Sequence, residues 1–265
     1  MNAETPKAAE LNLPQAFLLL ATNDMNGKPE VPVYALRTTL AGAILAELDL
    51  IGAIGLEGKR VRATGAAPET ALQHDLELIR GKSRPHSPKR WVSMFESRAE
   101  VQRVYEGMAS LGIVEHVGEK RLGRFRPVRY PEKDHAPEAA VLQKIQAVLS
   151  GPPWEPARPD AKPDAKPDAA GPDAAAADAP KSEAGAPGAN APEAAKPDAT
   201  PAAKAPDARI TALIALLQAA GLFGKLFPAA DRVRASELAK DYWPSRAVED
   251  ELRMIRLAEE EAATL

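Results

Sequence analysis

The stretch Thr39–Val61, TLAGAILAELDLIGAIGLEGKRV, constrains this chain more than any other. Leu40, Ile44, Leu45, Leu48 and Ile51 recur at helical spacing and make one wide apolar face. Gly42 and Ala43 are small enough for a second helix to approach closely. Gly52 follows the last periodic residue, where a left-handed cap favours a residue without Cβ. Ala53–Glu57 and Lys59–Thr64 then alternate as two short strands about Gly58, with Ile54 and Leu56 on one face. Helix then hairpin is the layout of a winged-helix module. Such a module serves as a nucleic-acid reader or as a plain scaffold, and the stretch alone leaves both open.

Composition narrows the classes. The net charge is −3, so any pull toward nucleic acid or acidic lipid must come from a local patch. The chain has no cysteine, which excludes disulfides, thiolate nucleophiles and Cys-based zinc sites and fits a reducing compartment. No run approaches the about 20 consecutive apolar residues of a membrane span. Ala16–Ala21 is short and lacks a preceding basic region, so we expect no signal peptide. The expected location is cytoplasmic, with membrane contact at most peripheral.

Residues 1–10 are polar and expected to be disordered. Leu11–Ala21 predicts a short buried helix capped by Asn12, and Asn26-Gly27 a turn. Asp24 and Asn26 lack the later ligands of a calcium loop. Pro68–Arg80 predicts a helix with Leu72, Leu76 and Ile79 inward. Gly81–Pro88 is a basic loop, and Ser87-Pro88 opens a helix carrying Trp91, Val92 and Phe95. Ser97-x-x-Glu100 reads as a capping box for a helix striped by Val101, Val104, Tyr105, Met108 and Leu111.

Ile113–Tyr130 predicts a second hairpin. Between Ile113 and Pro131 lie five Lys or Arg (Lys120, Arg121, Arg124, Arg126, Arg129) against two Glu. Pro127 argues for an edge strand. Asp134 is the expected cap of Pro137–Ser150, with Val141, Leu142, Ile145, Val148 and Leu149 buried.

Residues 151–206 then change character. This segment is Ala, Pro, Asp and Lys, holds 13 of the chain's 25 prolines, and repeats in PDAKPDAKPDAAGPDA. It offers too little apolar surface to offset its ordering entropy, so it reads as a disordered linker. Helical periodicity resumes over 207–265, with helices predicted at 207–220, Pro228–Lys240 and Pro244–Ala263. The expected fold is therefore mainly α: a helical bundle-like domain over 11–150, completed by 207–265. Two small wing-like β-hairpins decorate it, and the Ala/Pro/Asp/Lys linker interrupts it.

The chain resembles the Golgi phosphoprotein 3 family, specifically its bacterial members. The resemblance rests on Leu11-Asn12-Leu13, Phe17-Leu18-Leu19-Leu20, Asn23-Asp24 with Gly27, and Leu40–Leu48. It continues through Gly52 to Val61, Trp91-Val92, Leu111-Gly112-Ile113, Arg129-Tyr130-Pro131, and Ala212-Leu213 to Phe227. It covers Leu11–Leu149 and Arg209–Lys240 and leaves the linker outside. It implies a mainly helical fold with a membrane-meeting hairpin and no enzymatic activity. Eukaryotic members bind phosphatidylinositol 4-phosphate and link Golgi enzymes to transport coats. Their head-group pocket uses a Trp and an Arg before and within the central helix, and two Arg on the helix before the basic hairpin. Here those positions carry Pro32, Ala41, Arg98 and Val101, with Arg103 nearby.

No catalytic constellation is legible. His74, His86, His116 and His135 match no ligand spacing and read as surface residues, so neither metal nor cofactor is expected. Gly55-Leu-Glu-Gly-Lys59 lacks the spacing and hydroxyl of a phosphate loop. Glu47, in the apolar helix, reads as a partner for an arginine at the core edge.

The expected function is that of a non-enzymatic adaptor on acidic phospholipid head groups. Arg98, Arg103, Lys120, Arg121, Arg124 and Arg126 bind anions, and Leu122 touches the membrane. Specific phosphatidylinositol 4-phosphate recognition is not expected from three substituted pocket positions. The alternatives are a winged-helix nucleic-acid binder and a protein-interaction scaffold, the latter with unidentified partners or a second copy of the chain. Against the nucleic-acid reading, the organising helix offers only Arg37 to a groove.

Overall fold

The computed structural model describes residues 11–65, 68–118, 128–151, 207–230, 232–240 and 242–264. The N-terminal ten residues, nearly all of the linker, and Lys120, Arg121, Leu122, Arg124 and Arg126 lie outside them. Residues up to Gly151 and from Pro206 onward belong to one compact unit, mainly helical with one two-stranded antiparallel sheet among the described residues.

Helix α1 (Leu13–Leu20) starts in a full capping box: Asn12 Oδ1 accepts from Gln15 N, and Gln15 Oε1 accepts from Asn12 N. Helix α2 (Val33–Leu50) is the hub and packs against α1 and the later helices α4 (Pro88–Phe95), α7 (Ala208–Ala219) and α10 (Trp243–Thr264). It starts six residues before the expected Thr39. Pro32 stands at its cap with no side-chain bond, so packing of Ala35 and Leu36 sets that start. Gly42 explains the tight crossing. A Cβ there would sit 2.1 Å from Val248 Cγ2 of α10. A larger side chain would push α10 off the hub.

Strands β1 (Ile54–Glu57) and β2 (Arg60–Ala63) pair antiparallel, with Ile54 opposite Ala63 and Glu57 opposite Arg60. Ala53 N donates to Leu48 O, and Gly52 takes φ 71°, so the hairpin springs directly from the end of α2. Ile54 is buried as expected, but Leu56 is exposed, because it lies beyond the core near the turn. Helix α3 (Gln73–Arg80) begins five residues after Pro68, which therefore does not open it. Its buried Leu72 cap residue, Leu76 and Ile79 pack it beneath the sheet, and α3 touches β2.

Helix α4 opens on Ser87, whose Oγ accepts from Arg90 N, and α5 (Arg98–Ser110) opens on Ser97 in the same way. Only half of the expected second capping box forms, because the Glu100 carboxylate turns to Arg103 instead. Leu111 is exposed rather than inward, since it falls past the last turn beside Gly112. The second hairpin contributes no described strands; it is held by isolated bridges Val114 to Glu132 and Val117 to Arg129.

Helix α6 (Ala136–Ser150) is capped at His135, with Asp134 Oδ1 accepting from Ala136 N. Ile145 and Leu149 are buried, while Val141, Leu142 and Val148 are only half-buried, because α6 lies on the rim. Helices α8 (Phe223–Leu226) and α9 (Arg232–Ala239) follow α7, and α9 starts later than its sequence suggests.

Glu47 binds the two parts of this unit together. It is 5% exposed; its Oε2 accepts from Leu13 N at 2.9 Å. Arg209 Nη1 reaches both carboxylate oxygens, at 2.7 and 2.6 Å. A helix before residue 151 is thus joined to one after residue 206 by a charge-assisted pair whose carboxylate is buried.

Candidate functional site

The second hairpin leaves the core through a rigid base. Gly112 takes φ 75°, and Ile113 N donates to Met108 O, which turns the chain out of α5. Ile113 and Val114 are buried. Val117 and Arg129 exchange both main-chain bonds, at 2.9 and 2.8 Å, and Glu115 N donates to Pro131 O. Tyr130 stacks on Tyr105 with ring centroids 4.3 Å apart and planes 4° from parallel. The Tyr105 hydroxyl lies 2.6 Å from Thr22 Oγ1, which donates to Leu18 O in α1. Burial pushes the Tyr105 phenol up to about 12. An aromatic stack backed by hydroxyls therefore fixes the base to the helical core. Beyond it, Val117 (44%) and Val128 (42%) stand exposed on the two limbs. The sequence between them holds four of the five basic residues.

Arg98 is the first residue of α5 and is exposed. Its charge is felt at the Tyr130 phenol, opposing the rise that burial causes there, so it faces the base of this hairpin. Arg103 is different. Its Nη1 lies 2.5 Å from Glu100 Oε2 and 3.6 Å from Asp75 Oδ1. Burial first, then the neighbouring Glu100 charge, pushes Asp75 up to about 7, with Arg103 pulling the other way. Arg103 thus clips α3 to α5, and its charge is already partnered. Both arginines singled out on α5 are exposed, and Arg103 is the one already held in an ion pair.

The substituted pocket positions offer no cation. Pro32 is the exposed cap of α2, Ala41 is fully buried, and Val101 packs half-buried on the core. Sequence reasoning missed Glu96, the residue that ends α4. Its Oε2 accepts from Thr38 Oγ1 at 2.9 Å, and burial raises its carboxyl above the usual range. Its charged neighbours are Glu251 and Arg37, so it faces α2 and α10. The signal was Glu96 abutting Ser97-x-x-Glu100, a C-cap directly joined to the next N-cap.

The first hairpin carries its charges differently. Arg62 Nε pairs with Glu57 at 2.7 Å, and Arg60 Nη1 donates to Pro85 O at 3.3 Å. Val61 N donates to His86 O, so the Gly81–Arg90 loop lies along β2. Helix α2 is buried from Thr38 to Leu48 and has no free face along that length for a nucleic-acid groove.

These features define a helical domain whose central helix is buried from Thr38 to Leu48, with a first hairpin whose Arg60 and Arg62 are partnered and the base of a second hairpin. Residues 13–255 match the sequence profile of the Golgi phosphoprotein 3 (GPP34) family, and the chain belongs to that family. No curated protein matches the chain significantly. Among the described residues no helix is long and apolar enough to cross a membrane.

Proposed function

We propose that this chain is a non-enzymatic, peripheral adaptor domain that docks on acidic lipid surfaces through its second hairpin. The observation that carries the reading is the hairpin's construction. A base locked by the Tyr105–Tyr130 stack carries exposed Val117 and Val128 and leads into Lys120, Arg121, Arg124 and Arg126. Arg98 adds a fifth cation at the base. Basic residues at an anionic leaflet are worth about 1 kcal/mol each, which makes such docking real but reversible. Leu122 and the two valines add modest apolar contact. Family membership supports the reading.

The docking is by charge rather than by a phosphatidylinositol 4-phosphate pocket. Pro32, Ala41 and Val101 remove three of that pocket's four donors, and Arg103 is already paired with Glu100 and Asp75. The 152–206 segment acts as a spacer between the two parts of the domain sequence. Cosedimentation with phosphatidylserine vesicles, with duplex DNA tested in parallel, checks the reading. The expected result is vesicle binding that fades as salt rises, with equal response to phosphatidylinositol 4-phosphate and to other lipids at matched charge. DNA binding without vesicle binding would replace it with the nucleic-acid alternative. Binding to neither would favour a scaffold.

A further inference from the structure

Buried carboxylates in this protein come with an arginine in two cases. Glu47 has Arg209, and the Asp75–Glu100 pair has Arg103. A third group does not. Asp24, Glu132 and Glu138 converge with His135, and one ligand atom from each lies within 4.8 Å of all the others. Among the described residues no Lys or Arg forms an ion pair with these three carboxylates.

The backbone builds this group from two distant segments. The Asn23–Gly27 turn is closed by Asn23 Oδ1 accepting from Asn26 N. Gly27 takes φ 62°, and a Cβ there would lie 2.5 Å from the backbone nitrogens of Tyr130 and Pro131. Only glycine lets the turn approach so closely. Glu132 N then donates to Asp24 O at 3.0 Å, which sets the two acids side by side. His135 caps α6 and Glu138 lies in its first turn, while Glu132 precedes them in the bridge to Val114.

A second observation points into the same space. The Glu132 side chain is 3% exposed, and its Oε1 is buried without a hydrogen-bond partner. Its Oε2 contacts His135 Nδ1. A buried carboxylate oxygen with no donor is rare and needs an explanation. The Glu132 carboxyl has Asp24 and Glu138 as its acidic neighbours, and a cation among the three would satisfy it. The ligand atoms of a tetrahedral site lie about 1.6 metal–oxygen bonds apart, roughly 3.4 Å. Binding closes the widest of these separations by up to about 1.4 Å. A cavity of about 330 Å³ reaches Asp24 and Glu138 from the Thr22, Glu30 and Lys225 side, and His135 is exposed, so a hydrated ion has a way in.

We propose that Asp24, Glu132, His135 and Glu138 form a binding site for one divalent first-row metal ion, Zn2+ or Mn2+. Three carboxylate oxygens suit a hard ion, and the imidazole nitrogen favours a borderline one, with Zn2+ the tighter of the two. Bound metal ties the Asp24 turn to the start of α6, at the foot of the second hairpin. The site is independent of the lipid reading.

The test titrates the metal-free full chain with MnCl2 and follows the loss of the free Mn2+ paramagnetic resonance signal, then adds ZnCl2. The expected result is one Mn2+ bound per chain and released by Zn2+, with a melting temperature that rises with Zn2+ concentration. Glu132→Gln and Glu138→Gln should each weaken binding roughly tenfold or more. His135→Asn should do the same without disturbing the fold, because that side chain is exposed. Glu77→Gln, an exposed acid on α3, should bind as the native chain does. Absence of saturable binding by about 1 mM metal would overturn the site, as would full binding in folded His135→Asn.

Discussion

The two hairpins start from similar sequences and reach opposite ends. The first pairs over four residue positions, buries Ile54 and Val61, and keeps its charges at home through Arg62–Glu57 and Arg60 on Pro85. The second is held at its base by two isolated bridges and an aromatic stack, and its apolar residues Val117 and Val128 face outward. Sheet registry and self-paired charge make a hairpin part of the core. In the proposed reading, a locked base with an outward apolar rim makes a hairpin available for docking. Helix plus wing was thus legible as a shape, while the partners of Arg60 and Arg62 in the first wing were not.

The largest expected effect lies beneath the first hairpin. Leu48 is fully buried, and its carbonyl receives Ala53 N at the hairpin's root. Leu48→Ala should cost about 2–5 kcal/mol in urea denaturation. A shift under about 0.5 kcal/mol would mean that the first hairpin is not rooted in the core.

A second effect depends on pH. Asp75, on the helix packed against β2, is raised from its ordinary 3.8 to about 7. Between those values the folded chain keeps a proton that the unfolded chain has lost. The associated stabilisation is complete below pH 3.8 and is lost as pH rises to about 7, at up to about 1.4 kcal/mol per unit. Asp75→Asn should flatten that decline when denaturation midpoints at pH 5 and pH 8 are compared. An unchanged slope would remove Asp75 as its source.

A smaller effect contrasts the hairpins directly. Val61→Ala removes a buried side chain from β2 and should cost about 1–2 kcal/mol, whereas Val117→Ala should stay within about 0.5 kcal/mol. Equal costs would erase the distinction between a packed and a presented hairpin.

Local signals explain what the sequence made legible. Asn12, Gly52, Ser87-Pro88 and Ser97 each act through bonds or φ values within a few residues, and each stands where it was expected. The Glu47 pairing with an arginine was also legible, though not that Arg209 supplies it. What escaped was set by distant contacts. Nothing in Pro32-Val33-Tyr34 marks a helix start, because packing rather than a cap begins α2. Pro68 carried a start signal that the chain does not use. Asp75 and Glu100 sit at positions whose pattern says surface, yet Arg103 lets both be buried. Glu132, His135 and Glu138 matched no ligand pattern in the sequence, and Asp24 reaches them only through the Gly27 turn.

The central claim is that the second hairpin, and not the first, carries the docking surface. The direct measurement is cosedimentation with phosphatidylserine vesicles of two folded variants beside the native chain. One is Arg121→Glu, Arg124→Glu and Arg126→Glu combined; the other is Arg60→Glu with Arg62→Glu. The account predicts that the first variant loses binding at low salt, with an unchanged melting temperature, while the second binds as the native chain does. Retained binding by the folded triple variant, or loss confined to the first-hairpin variant, would contradict it.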